Sequence, residues 1–478
     1  MSRFIYLVIS SFFVFCFASC SQKTTDTGEM QKQFLEGNFI TVGKIIEEKK
    51  STELSKEQSV EIEILEAKME RIQLDFSKNE SQIKEELAVW FPNLASDQLL
   101  RWEEDKKLEM KFINGEKRYF KNAVSNLFRL DLDAKKTKEN KDGALVDSLD
   151  IFCLQHTSEL VNKVNSEINI LEKPQKYSID FTITLKPDAI PAGEIVKCWM
   201  PFPRESMPRQ KNVKLLSVNS EKYTLAGNQI LQRSLYFEKI TESGKPTTFN
   251  YTAEFETAPY YINIQPEAVK MYDTNSENYK KHIAEQKPHI VFSDEIKQLT
   301  TGVTSGISNP FEKVKAIFYW IDNNTTWASA LEYSTIECIP EYVLNNRHGD
   351  CGMKTLLFMS MARYAGIPCK WQSGWMLHPG ELNLHDWCEV YYEGIGWVPL
   401  DQSFGLQNSE NQQLKDFYIS GIDEYRLIIN DDFSSEFEPE KQFFRSEPID
   451  FQRGELEWKG GNIYFNRWNY HVDITYLN

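Results

Sequence analysis

Three residues in the second half of this 478-residue chain have the types and order needed for nucleophilic acyl chemistry: Cys351, His385 and Asp401. A cysteine attacks a carbonyl as its thiolate, so it needs a base that takes its proton and later returns it to the leaving group. An imidazole suits that task, and a carboxylate behind it fixes the tautomer and stabilises the imidazolium. Cys351 stands in Arg347-His348-Gly349-Asp350-Cys351-Gly352, flanked by glycines rather than inside an apolar face. His348 is near it in sequence but reads as a loop residue, and Trp327 and Trp397 read as core or cleft walls.

Each candidate requires an element to hold it. After Cys351, the residues Met353, Leu356, Leu357, Met361 and Tyr364 recur at helical spacing. Gly366 suits the position just past a helix end, and Pro368 stops any continuation. Cys351 therefore falls at a helix N-terminus, where free N–H groups and the helix dipole favour thiolate over thiol, with Asp350 opposing if its charge faces the sulfur. The Cys351 N–H is also the best placed donor for an oxyanion. His385-Asp386-Trp387-Cys388-Glu389-Val390-Tyr391 reads as a strand, followed by a turn and by Trp397-Val398-Pro399-Leu400-Asp401. A three-residue loop Tyr392-Glu393-Gly394, with Gly394 left-handed, pairs Tyr391 with Ile395 and Glu389 with Trp397 and sets His385 opposite Asp401. Centring the loop on Ile395 would separate the two by four residues, about 13 Å along a strand.

Taken in order, Arg-x-Gly-Asp-Cys-Gly, Ala-Gly-Ile-Pro-Cys-Lys, His-Asp-Trp-Cys-Glu-Val-Tyr and Gly-Trp-Val-Pro-Leu-Asp resemble the transglutaminase-like superfamily. The resemblance spans residues 310–405 and departs at Lys370, where the family often has Arg. It implies a papain-like core, in which a cysteine-bearing helix packs on an antiparallel sheet that supplies His385 and Asp401. It also implies that the β-rich text before this core is a domain found in some bacterial members.

The rest of the chain frames that core. An apolar run from Phe4 to Phe17 follows Arg3 and ends in Phe17-Ala18-Ser19-Cys20. That is too short for a comfortable membrane span and resembles a bacterial lipobox, which predicts cleavage and lipidation at Cys20. Residues 1–20 are thus expected as a lipoprotein signal and 21–170 as a tethered helical domain. The helical domain carries a hairpin at Asn114-Gly115 and a charged surface loop over Asp131–Asp150. Strict alternation in Tyr177–Leu185 and Phe249–Phe255 predicts an antiparallel β-sandwich over 175–290. The catalytic core follows over 291–405, with Asn309-Pro310 starting a helix, and 406–478 is expected as a C-terminal β extension. The fold class is α+β.

Composition narrows the function. A net charge of −16 argues against a nucleic-acid partner. Of eight cysteines, Cys16 and Cys20 fall in the leader, and no pair has Cys-x-x-Cys spacing, so neither a zinc site nor a disulfide scaffold is expected. No Asp-x-Asp-x-Asp-Gly calcium loop is present, and no cofactor is assigned. The expected partners are a peptide or protein substrate and, through the lipid, a bacterial envelope membrane on its periplasmic or outer face. The sequence assigns no oligomeric state. The expected reaction is acyl transfer from an amide through a Cys351 thioester, with water slightly favoured as acceptor (a peptidase or amidase). The alternatives are cross-linking of protein glutamine to amines and a non-catalytic surface module.

Overall fold

The computed structural model describes residues 28–144, 146–163, 169–170, 174–205 and 207–477. The leader and Cys20 lie outside the described residues. The chain forms two compact units, the first ending at Ser125 and the second comprising Asn126–Asn478.

The first unit is mainly helical. Its longest helix, Lys56–Asp75, opens on a capping box in which Ser55 and Gln58 satisfy each other's backbone N–H groups. Leu65, Met69 and Ile72 are buried along one face, as their spacing predicts. The hairpin Met110–Ile113 with Glu116–Tyr119 turns through Asn114 and Gly115, both at positive φ. That geometry is the tight turn an Asn-Gly pair favours.

The second unit is built of sheets. Gln175–Leu185 and Thr247–Thr257 pair antiparallel, with Gln210–Val218 on one side and the C-terminal Trp468–Leu477 on the other. Every odd residue from Tyr177 to Leu185 is buried. They share one apolar core with a five-stranded sheet that contains Ile195–Pro201, Ser234–Ile240 and Glu455–Trp458. This is the expected sandwich, and the end of the chain closes both of its sheets.

The sheet that matters for chemistry has four antiparallel strands in the order Gly396–Leu400, Glu381–Tyr392, Cys369–His378, Arg426–Asn430. Its outer strand comes from well beyond the catalytic motifs. Trp375, Leu377, Leu427 and Ile429 from this sheet join the sandwich core, while Trp371, Trp387, Cys388 and Val390 join the core under the helices. The sheet is therefore clamped from both sides. Gly374 lets the outer strand approach closely, because a Cβ there would collide with the Leu427 carbonyl.

The helix Cys351–Tyr364 packs on the sheet with nearly every side chain buried. Gly366, at φ +79°, ends it as expected. Pro310–Asn324 packs beside it, capped by Asn309, whose Oδ1 accepts from the Phe311 and Glu312 N–H groups. The expected charged loop after Asp131 is instead largely a helix, Leu132–Asp142. Asp131 caps it through Ala134 N at 2.8 Å, and Lys138–Asp142 and Lys135–Glu139 pair at four-residue spacing. Those local pairs suffice for an exposed helix that lacks an apolar stripe.

Candidate active site

The strand register differs from the expected one by two residues. Tyr391 pairs with Trp397 and Glu389 with Pro399, so the loop is Glu393-Gly394-Ile395. Gly394 is left-handed at φ +88°, as required, but Gly396 is as well, at φ +107°. A second flexible glycine allowed the strand to restart one residue later than the sequence reading placed it. Because the shift is two and not one, side chains keep their faces. Pairing ends at Cys388–Leu400, so Asp401 is past the strand end and diagonal to His385, not directly opposite it.

The contact between them forms all the same. His385 Nε2 donates to Asp401 Oδ2 at 2.7 Å, and both side chains are buried. Arg426 Nη2 reaches the same Oδ2 at 3.2 Å, while Oδ1 accepts from the Ser403 and Phe404 N–H groups, each at 3.1 Å. Each oxygen thus faces two donors, the capacity of an ionised carboxylate. Burial alone would raise the Asp401 pKa, but His385 and Arg426 overcome it and hold the group below the usual carboxylate range. An ionised Asp401 can only accept, so the proton sits on Nε2 and Nδ1 is the basic nitrogen. Nδ1 makes no hydrogen bond among the described residues.

Arg426 continues inward. Its Nη1 donates to Asp423 Oδ1 at 2.9 Å and lies 3.0 Å from His378 Nε2, which is itself 3.2 Å from Asp423 Oδ2. Cys153, His378 and Asp423 offer sulfur, nitrogen and oxygen within 4.8 Å of one another, a metal-like donor set among the described residues. The Arg426 guanidinium already supplies the positive charge these groups face. Burial, with Asp423 beside it, pushes the Cys153 thiol up to about 12.

Cys351 begins its helix as expected, half-buried, with Asp350 as the cap accepting from Met353 N at 3.1 Å. Its thiol contacts Asp386 Oδ2 at 3.5 Å, the residue after His385. Asp386 Oδ1 accepts from Gln452 Nε2 at 2.7 Å. The Tyr333 hydroxyl bridges Asp350 Oδ1 at 2.5 Å and Asp386 Oδ2 at 3.4 Å.

The expectation of a lowered thiol pKa is corrected here. Burial, then the Asp386 and Asp350 carboxyls, push it well above its ordinary value. A helix terminus contributes at most about 2 kcal/mol toward the thiolate, less than desolvation beside two acids costs. The buried Lys354, one turn on, has its pKa lowered by burial and feels Asp322, Asp401 and Cys351 in turn. Sulfur and carboxylate therefore share one electrostatic neighbourhood.

The sequence reading missed Asp386, which stood inside a motif without a role. It also missed Arg426, Asp423 and His378, for which no local spacing gives a signal. His348, set aside as a loop residue, is buried on a two-residue strand.

Residues 297–402 match the family model of the transglutaminase-like superfamily. That segment, less than a quarter of the chain, is similar to transglutaminase-like domains. The uncharacterized protein YebA of Bacillus subtilis (strain 168) is 25% identical over 195 residues, which cover 36% of this chain and 26% of YebA. The match thus spans about a quarter of that relative's length. A candidate cysteine protease from Cytophaga hutchinsonii superposes with a TM-score of 0.45 at 16% identity, covering 64% of this chain and 92% of the other. For the periplasmic domain of TgpA from Pseudomonas aeruginosa the values are 0.26, 12%, 47% and 88%.

The carboxyls around the sulfur carry a pH signature. Desolvation raises Asp350 to about 6 and Asp386 well above its usual value. Each sits above its unfolded value near 4, so its stabilising effect is complete below about pH 4 and is lost as pH rises through the folded value. Asp386→Asn should therefore make the decline in Tm between pH 5 and pH 8 shallower than in the parent. Parallel Tm–pH curves for the two proteins would show that Asp386 is not buried as a neutral acid.

Proposed function

We propose that this protein is a thiol-dependent acyl enzyme acting on an amide of a peptide or protein, with Cys351 as nucleophile, His385 as base and Asp401 as its orienting carboxylate. The observation that carries this reading is the saturated Asp401 carboxylate. An ionised Asp401 favours the proton on His385 Nε2, and Nδ1, which makes no hydrogen bond among the described residues, belongs to the same strand as Asp386, the residue that touches the thiol. In the resting arrangement the sulfur keeps its proton, beside Asp386. Rotation of the Cys351 side chain toward Nδ1 transfers that proton as the sulfur attacks, so the thiolate exists only when a carbonyl is there to receive it. The S–C bond forms, the tetrahedral oxyanion faces the Cys351 N–H at the helix terminus, and the imidazolium protonates the departing amine. The thioester is then released to water or to a second amine.

Water is the favoured acceptor, which makes the protein a peptidase or amidase. Nothing in its acidic composition provides for a dedicated lysine donor. We further propose that Cys20 carries a lipid and holds the enzyme at a bacterial envelope membrane. Cys20→Ser should shift the protein from the membrane to the soluble fraction, and unchanged fractionation with no acyl chain on the mature N-terminus would overturn this.

A glutamine-containing peptide, offered with and without excess primary amine, tests the reaction. Backbone cleavage marks a peptidase, ammonia release alone an amidase, and amine uptake a transglutaminase. Cys351→Ala should abolish every product, because all pass through the thioester. Asp401→Asn should slow turnover on the order of 10³–10⁴-fold while the fold persists. Activity surviving in Cys351→Ala would end this reading.

A further inference from the structure

The Asp401–Arg426–Asp423 chain contains a charge problem. Arg426 lies against Asp401 Oδ2, the oxygen that also accepts from His385. A guanidinium there orients the carboxylate but also cancels its charge, the charge that must stabilise a His385 imidazolium. Arg426 is fully buried, so no solvent moderates the effect. On its other side is Asp423, 2.9 Å from Nη1 and equally buried. Asp401, Arg426 and Asp423 together sum to one negative charge.

We propose that Asp423 and Arg426 are positioning residues for the catalytic pair, Arg426 fixing the orientation of Asp401 and Asp423 restoring the net negative charge that His385 needs. The inference rests on the reading of His385 as the base. None of the other charged groups near the chain is an anion in contact with Arg426, and Arg209, a second buried cation that donates to the Asp423 carbonyl oxygen at 3.4 Å, faces Glu389 as well as Asp423. His378 has its own pKa lowered by burial and by Arg426 despite Asp423, so it is a neutral brace between them. His156 pairs with Glu424 at 2.9 Å, which closes that end without a net charge when the imidazole is protonated. On the helix side, Lys354 faces Asp322 as well as Asp401, and Asp386 and Cys351 are held neutral by burial. Asp423 is thus the anion in direct contact with Arg426 that can offset it.

The two residues should push His385 in opposite directions, which a purely structural role would not do. The measurement uses the full chain labelled with [15N]histidine at a single neutral pH, with the His385 ring signals assigned through His385→Gln. Asp423→Asn, which keeps the shape, should lower the imidazolium-to-imidazole ratio of His385 about tenfold. Arg426→Met should raise it by a similar factor. Shifts in the same direction, or a ratio within twofold of the parent in Asp423→Asn, would overturn the proposal. If Arg426→Met does not fold, Asp423→Asn decides alone. An active enzyme with unmoved signals removes this inference and leaves the proposed function. Opposite shifts in a protein whose Cys351→Ala variant keeps full activity do the reverse.

Discussion

The Asp401 carboxylate is the constraint on which the rest of the four-stranded sheet and its helices depends. A buried ionised carboxylate without partners costs several kcal/mol, and here all of its capacity is filled from four directions. His385 comes from the central strand, Arg426 from the outer strand, and the two N–H groups from the turn that follows Leu400. Of these donors Arg426 alone lies beyond the motif segment. The chain must run on past the motifs and return Arg426–Asn430 as an outer strand, and the sandwich must hold that strand through Leu427 and Ile429. The β-domain is therefore part of what holds His385 and Asp401 in place.

The two sides of the site treat carboxyl groups in opposite ways. Around His385, Asp401 and Asp423 stay ionised because Arg426 lies between them. Around Cys351, Asp386 is buried and Asp350 half-buried, and desolvation raises the pKa of both. A neutral acid beside a protonated thiol costs little, whereas an unpaired thiolate in the same place would be strongly disfavoured. The arrangement suits a nucleophile activated during attack and not one charged in advance. Placing ionised and neutral acids in adjacent environments is a general way to separate acid and base roles within one site.

Local signals in the sequence were read accurately where short-range physics decides them. The Cys351 helix, its glycine stop at Gly366, the Asn309 cap and the strand alternation at Tyr177–Leu185 depend on residues within a turn or two. The hairpin register did not, because Gly394 and Gly396 both tolerate positive φ and only packing chooses between the loops they permit. The Leu132–Asp142 helix was hidden because ion pairs, not an apolar stripe, support it. Asp386 was visible but mute: the strand pattern placed it, yet its contact with the sulfur depends on how closely Gly352 lets the helix approach. Arg426, Asp423 and His378 meet only in three dimensions, with His378 drawn from one strand and Arg426 from its neighbour.

The central claim, that Cys351 is a nucleophile served by His385, is tested most directly by covalent labelling. A peptide vinyl sulfone, which mimics the scissile amide, would be incubated with the protein and the adducts mapped by mass spectrometry. The account predicts one dominant adduct, on Cys351, with its rate reduced at least tenfold by His385→Gln even though the thiol is unchanged. Labelling of Cys338, the other half-buried cysteine, at a comparable rate, or labelling of Cys351 at an undiminished rate in His385→Gln, would contradict it.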